Sequence, residues 1–135
     1  MVGKITTELR LKIMYILTII LAGIIGLLML IIPDVMIAVL GAPAQDPYMY
    51  GVLGAFWLGM GIITILGLFD PHKYVPILLL QIVYKSLWIF AVFIPNVIID
   101  GAQFYTIFVL VVFIIFIVGD ILSIPFKEVF KLKKE

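Results

Sequence analysis

Apolar residues gather in four long runs along the chain, each closed by a proline. The runs cover about 13–32, 50–69, 74–94 and 104–124, and they stop at Pro33, Asp70-Pro71, Pro95-Asn96 and Pro125. A helix needs about 20 apolar residues to cross a hydrocarbon core about 30 Å thick, and each run has roughly that length. Membrane strands need about half as many residues and alternate with period 2, which these runs do not. Inside lipid a helix satisfies its own backbone groups. The pattern predicts an all-α fold, with residues 1–135 forming a single transmembrane four-helix bundle.

The basic residues orient that bundle. Lys4, Arg10 and Lys12 precede the first run, Lys73 lies between the second and third, and Lys127, Lys131, Lys133 and Lys134 follow the fourth. The loops 33–49 and 95–103 contain no Lys or Arg. Positive loops stay on the cytoplasmic side, so both ends are expected to be cytoplasmic in a multi-pass protein of the cell membrane. Ala42-Pro43-Ala44 before Gln45 has the look of a cleavage site. The first run is nevertheless longer than a signal-peptide core and ends well before that point, so it reads as a retained span.

The linking segments carry their own signals. In the first outer loop, Asp34 is placed to cap a short helix and Gly41 to end it. The intervening apolar stretch is too short to span and reads as an interfacial helix or a lid. At the N-terminus Lys4, Glu8 and Lys12 share one helical face, with Val2, Ile5 and Leu9 on another. After Pro125, Phe126, Val129 and Phe130 oppose Lys127, Lys131 and Lys134. Both pieces read as anchors on the inner leaflet.

Composition agrees with a lipid setting: 65% of residues are hydrophobic and 13% charged, against about 25% charged in soluble domains. The formal net charge of +1 provides no overall field for nucleic acid. Absence of cysteine removes disulfides, thiol redox chemistry and thiolate metal sites. His72 sits in a tight polar turn and reads as solvated. No HExxH, phosphate-binding loop or Ser/His/Asp set is present, so neither a metal nor a cofactor is expected.

Candidate chemistry then narrows to the ionisable groups inside the runs, because a charge there costs about 2.5–3.5 kcal/mol on insertion scales. Lys85 and Asp120 are those groups. Gln81 and Trp88 share the Lys85 face by helical spacing, and Tyr84 and Ser86 flank it. Lys85 lies about 15 Å and Asp120 about 6 Å from the inner face at 1.5 Å per residue. Their side chains lean toward each other on antiparallel helices, which predicts a buried pair, direct or bridged by water or Tyr84. The pair either fixes helix register or serves a function: binding a polar or anionic substrate, or relaying protons. Trp57 and Trp88, about 10 Å below the outer surface, read as packing aromatics or, with Tyr84 and Gln81, as walls of a pocket floored by Lys85.

Small residues form two stripes, Gly51-Ala55-Gly59-Ile63-Gly67 in the second run and Thr18-Ala22-Gly26 in the first. They predict close packing of the first two spans, with a homodimer as the other use. Tyr15 and Tyr74 on one side, and Tyr48, Tyr50, Phe104 and Tyr105 on the other, fit interfacial aromatic belts.

The layout resembles the DoxX-like group of small four-helix membrane proteins. The likeness rests on the long first outer loop, Pro47-x-x-Tyr50-Gly51-x-x-Gly54-Ala55, the Asp70-Pro71 turn, and Gln81-x-x-Tyr84-Lys85-Ser86-x-Trp88. Some members of that group are linked to membrane redox or quinone-related processes, but the resemblance implies no catalytic residue here. The leading expectation is a non-enzymatic accessory or small-ligand-binding membrane component centred on Lys85, its ligand a lipid or small amphipathic molecule. The alternatives are an oligomeric transporter or channel using Lys85 and Asp120, and an enzyme acting on a lipid or quinone near Trp57, Trp88 and Tyr84.

Overall fold

The computed structural model describes residues 6–131, and every regular element among them is helical. In chain order these are α1 (Thr7–Ile31), α2 (Pro33–Leu40), α3 (Pro47–Gly67), α4 (Val75–Asp100), α5 (Phe104–Ser123) and α6 (Phe126–Val129). Four of them, α1, α3, α4 and α5, are long and apolar enough to cross a membrane.

Local chemistry sets the helix ends. The Thr6 hydroxyl accepts the Leu9 N–H at 3.1 Å, so α1 begins six residues before the apolar run. Asp46 caps α3 by accepting the Met49 N–H at 2.9 Å, with Pro47 in the first turn, where its missing N–H costs nothing. Gln103 and Thr106 cap α5 reciprocally. Pro33, not Asp34, opens α2; Asp34 lies in the first turn and makes no capping hydrogen bond. Gly41 ends α2 at φ +64°, a left-handed conformation that suits glycine.

α4 runs through Pro95-Asn96, where the sequence pattern placed its end. A π-helical turn over Ile89–Phe93 precedes that point, and Pro95 falls in the opening turn of the resumed α-helical segment. The wider turn resets the hydrogen-bond ladder where a proline would break it. α1 contains a matching π turn at Ile19–Ile24.

α1 and α3 run antiparallel in close contact. A Cβ on Gly26 would stand 2.5 Å from the Leu58 nitrogen and 2.7 Å from the Gly54 oxygen, and one on Gly61 would stand 2.6 Å from the Gly23 Cα. The close pairing of these spans follows the expectation, and Thr18, Ala22 and Gly26 are buried as their stripe requires. The α3 stripe is corrected. Gly51 and Gly59 have no neighbour within Cβ reach, whereas Gly54 and Gly61, with Gly67, carry the contact. The close-packed glycines 54 and 61 are seven apart, so the seam follows a heptad, not a four-residue repeat.

Gly67 makes room for the Tyr15 ring, and Gly119 of α5 sits against the Met14 thioether. Leu11, Met14, Tyr15, Val75, Leu78, Phe116 and Ile124 form one core from α1, α4 and α5. Tyr15 is therefore a core residue and not part of a belt: it is fully buried, and its hydroxyl donates to the Pro71 carbonyl at 2.5 Å. At the same end His72 Nδ1 lies 3.7 Å from Glu128 of α6, both exposed. Glu8 pairs with Lys12 at 3.1 Å. Val2, Lys4, Ile5, Lys133 and Lys134 lie outside the described residues.

Polarity is inverted relative to a water-soluble fold. Thr18, Thr64, Gln81, Lys85, Asp120 and Ser123 are buried, while Ile20, Val52, Ile62, Leu87 and Ile115 face outward. Such a surface is compatible with a membrane protein. The glycine seam yields a test. Gly26→Ala should lower detergent-solubilised stability by about 1–3 kcal/mol through overpacking, read as a fall in thermal midpoint. Gly59→Ala, with open space at its Cβ, should leave the midpoint unchanged or raise it.

Candidate functional site: a buried polar layer

The polar side chains come from the middle of α1 and α4 and the last turn of α5. Lys85 and Gln81 stand one turn apart on the buried face of α4. Lys85 Nζ donates to Gln81 Oε1 at 2.7 Å, Gln81 Nε2 donates to Thr18 Oγ1 at 2.8 Å, and Thr18 donates to the Met14 carbonyl at 2.8 Å. Each acceptor in this series is also the donor to the next group until the backbone of α1 ends it. Such chains polarise one another in a low-dielectric interior. The series also settles the Gln81 amide, with its oxygen toward the ammonium and its nitrogen toward the hydroxyl.

Lys85 is 2% exposed. Its remaining contacts are aromatic faces: Nζ lies 4.3 Å from the Phe116 ring centroid, 4.7 Å from Tyr84 and 5.4 Å from Phe113. Cation–π attraction strengthens when the cation is desolvated, to about 2 kcal/mol. The ammonium therefore sits in an aromatic cup with one hydrogen-bond acceptor.

Asp120, one turn after Phe116 on α5, is fully buried, and neither carboxylate oxygen has a hydrogen-bond partner in the protein. No ion pair forms with Lys85 within 4 Å among the described residues. An orphaned buried carboxylate is rare and costly. The layer thus holds an ammonium with one hydrogen-bond acceptor and, one turn from the Phe116 ring that covers it, a carboxyl group with none among the described residues.

Of the residues singled out from sequence, Lys85, Gln81 and Asp120 lie in this layer, with Tyr84 at its edge. Trp57 and Trp88 stand one layer further along, edge-on to Phe113 with centroids 6.4 and 5.2 Å away; Tyr84 meets the same ring at 5.9 Å. The Phe113 ring thus packs against all three of these aromatic side chains. The Trp57 indole N–H is buried without a hydrogen-bond partner among the described residues. Two surface clefts, of about 290 and 250 Å³, open at the end of the molecule carrying the 32–46 and 101–103 links, and Lys85 lines neither. Sequence reasoning placed Thr18 in a packing stripe and passed over Phe113 and Phe116. A hydroxyl at mid-run was the available signal for Thr18; nothing in the pattern distinguished the two phenylalanines.

In comparisons with known proteins, the chain matches no family model, no curated protein and no solved structure.

Stability should grade along the layer. Gln81→Leu strands both the Lys85 ammonium and the Thr18 hydroxyl and should cost about 1–3 kcal/mol. Thr18→Val, which strands a neutral amide hydrogen, should cost less. Asp120→Asn, which breaks no protein hydrogen bond, should cost least. Equilibrium unfolding in mixed micelles reads the order, and a variant at Asp120 less stable than Gln81→Leu would contradict it.

Proposed function

We propose that the chain is an integral protein of the cell membrane, a transmembrane four-helix bundle with both ends cytoplasmic. We further propose that it is a non-enzymatic accessory or small-ligand-binding component whose binding centre is the polar layer around Lys85. The observation that carries this reading is the unused hydrogen-bonding capacity inside the layer. Lys85 has three N–H donors and one acceptor, and both Asp120 oxygens lack a hydrogen-bond partner among the described residues. Buried polar groups that serve only to hold helices together are normally satisfied. A small polar group, or the polar end of an amphipathic molecule, would satisfy these atoms, and the surrounding rings suit its apolar part. Membrane-embedded ionisable groups are functional by default. The lack of Lys and Arg in the 33–49 and 95–103 links supports the orientation, and the DoxX-like layout belongs to the same proposal.

A second reading is a small oligomeric transporter or channel that uses Lys85 and Asp120. It is favoured by the π turns beginning one residue after Thr18 and four after Lys85, on the two helices that share the layer. Such turns recur at functional sites. Flux into liposomes separates this reading from the first.

Two experiments test the proposal. Native mass spectrometry of the detergent-solubilised chain should show a co-purified small molecule that is absent from Lys85→Met, while the variant keeps its expression and thermal midpoint. A variant that binds as before would end the reading, and one that fails to fold would assign Lys85 to structure. The natural absence of cysteine allows single-cysteine topology mapping. Cysteines at Gln45 and Gln103 should react with an impermeant thiol reagent in intact cells, and one at Lys73 only after permeabilisation.

A further inference from the structure

The 250 Å³ cleft lies between the last turns of α4 and the start of α5. Trp88 lies at its inner end, Val92 and Phe93 follow along one wall, and Asp100, Gln103 and Tyr105 stand at its mouth. Trp88 and Asp100 are twelve residues apart, so the cleft runs about 18 Å along the helix at 1.5 Å per residue. Trp88, Val92, Phe93 and Val97 give it an apolar run along that length, with Asn96 bonded back to the Val92 carbonyl, and the polar groups gather toward Asp100.

The mouth brings the C-terminal end of one helix, with its acid, beside the capped N-terminus of the next. Asp100 is the last residue of α4, where the helix carries its partial negative charge and an acidic side chain is disfavoured. The carboxylate and the terminal carbonyls there add to one another. Neither lysine nor arginine lines the cleft, and the whole 95–103 segment lacks both. The α5 N-terminus is already capped by Gln103 and Thr106, so the one full charge at the mouth is the Asp100 carboxylate; it repels a phosphate or carboxylate head and attracts a cationic one, which also finds the Tyr105 ring. The 290 Å³ cleft repeats this chemistry at the same end of the molecule, with Asp34, Gln45 and Tyr50 over Met29 and Leu30 and again no basic residue.

We infer that the α4–α5 cleft is a binding site for a cationic amphiphile, an ammonium or quaternary ammonium group on one alkyl chain. The head lies at Asp100 and Tyr105 and the chain reaches Trp88. This site is separate from the Lys85 layer, so its test does not depend on the proposed function.

The test places the full chain in nanodiscs of zwitterionic phospholipid, in a Trp57→Phe background that leaves Trp88 as the sole tryptophan. The probe is an alkyltrimethylammonium with a bromine at the chain end, which quenches tryptophan on contact. Saturable quenching of Trp88 is expected, weakened about three- to tenfold by Asp100→Asn, a loss of up to about 1.4 kcal/mol. Because bulk phospholipid is already in excess, saturation marks a site for the free cationic amphiphile. An alkyl sulfate with the same brominated chain should not saturate. Equal quenching by both probes, or an unchanged affinity in Asp100→Asn, overturns the inference. Should Trp57→Phe fail to fold, native mass spectrometry of the unaltered chain and of Asp100→Asn with the same two probes reads the same preference.

Discussion

The hydrogen-bonded series from Lys85 through Gln81 to Thr18 is the interaction on which the arrangement turns. It ties the middle of α4 to the middle of α1, and those two helices do not otherwise share a glycine seam. Its direction follows from chemistry alone: an ammonium can only donate, a backbone carbonyl can only accept, and an amide and a hydroxyl between them do both. With the register of α4 on α1 fixed, the aromatic rings of α5 fall over the Lys85 ammonium. Phe116 and Phe113 then take positions one turn apart on either side of it. A one-residue slip of α4 would carry Lys85 about 100° around the helix, away from both rings and from Gln81's partner.

Glycine and polar side chains divide the work of association. Along α1 and α3 the backbones meet directly, through Gly23 against Gly61 and Gly26 against Gly54. That contact is dispersion between close-packed atoms and needs no water-driven term. α4 and α5 have no such seam and meet instead through aromatic edges and the polar layer. The two halves of the chain therefore resist different perturbations, steric ones in the first pair and chemical ones in the second. The π turns lie where these regimes adjoin, beside Thr18 in α1 and beyond Lys85 in α4.

Helix existence was legible because run length is a strong signal: all four long helices cover the apolar runs. Their limits were less so, since α1 begins on a polar cap at Thr6 and α4 passes Pro95 by a π turn, and neither is written in hydropathy. In the site, Lys85, Gln81 and Asp120 could be found because polar atoms inside apolar runs need partners. Gln81 was grouped with Lys85 by helical spacing, but its bond across to Thr18 was not foreseen, because rotation between separate helices is not encoded in spacing. The same blindness misplaced the α3 contact face: spacing of four and of seven both pick out glycines there, and only the partner helix decides between them. Tyr15 was read as an interfacial aromatic from depth alone, whereas Gly67 opposite it opens a slot that buries the ring.

The unpaired state of Asp120 is the feature that packing does not account for. Its neighbours on the buried face of α5, Phe113 and Phe116, each have a defined ring contact, and Ser123 is small enough to lie on the helix surface. A leucine or methionine at position 120 would fill similar space without the desolvation that a carboxylate suffers. Helix register needs no carboxylate either, because the Lys85–Gln81–Thr18 series already sets it. What an acid adds at this point is a response to the charge on Lys85. A fold that needed only rigidity would be better served by an apolar residue at position 120.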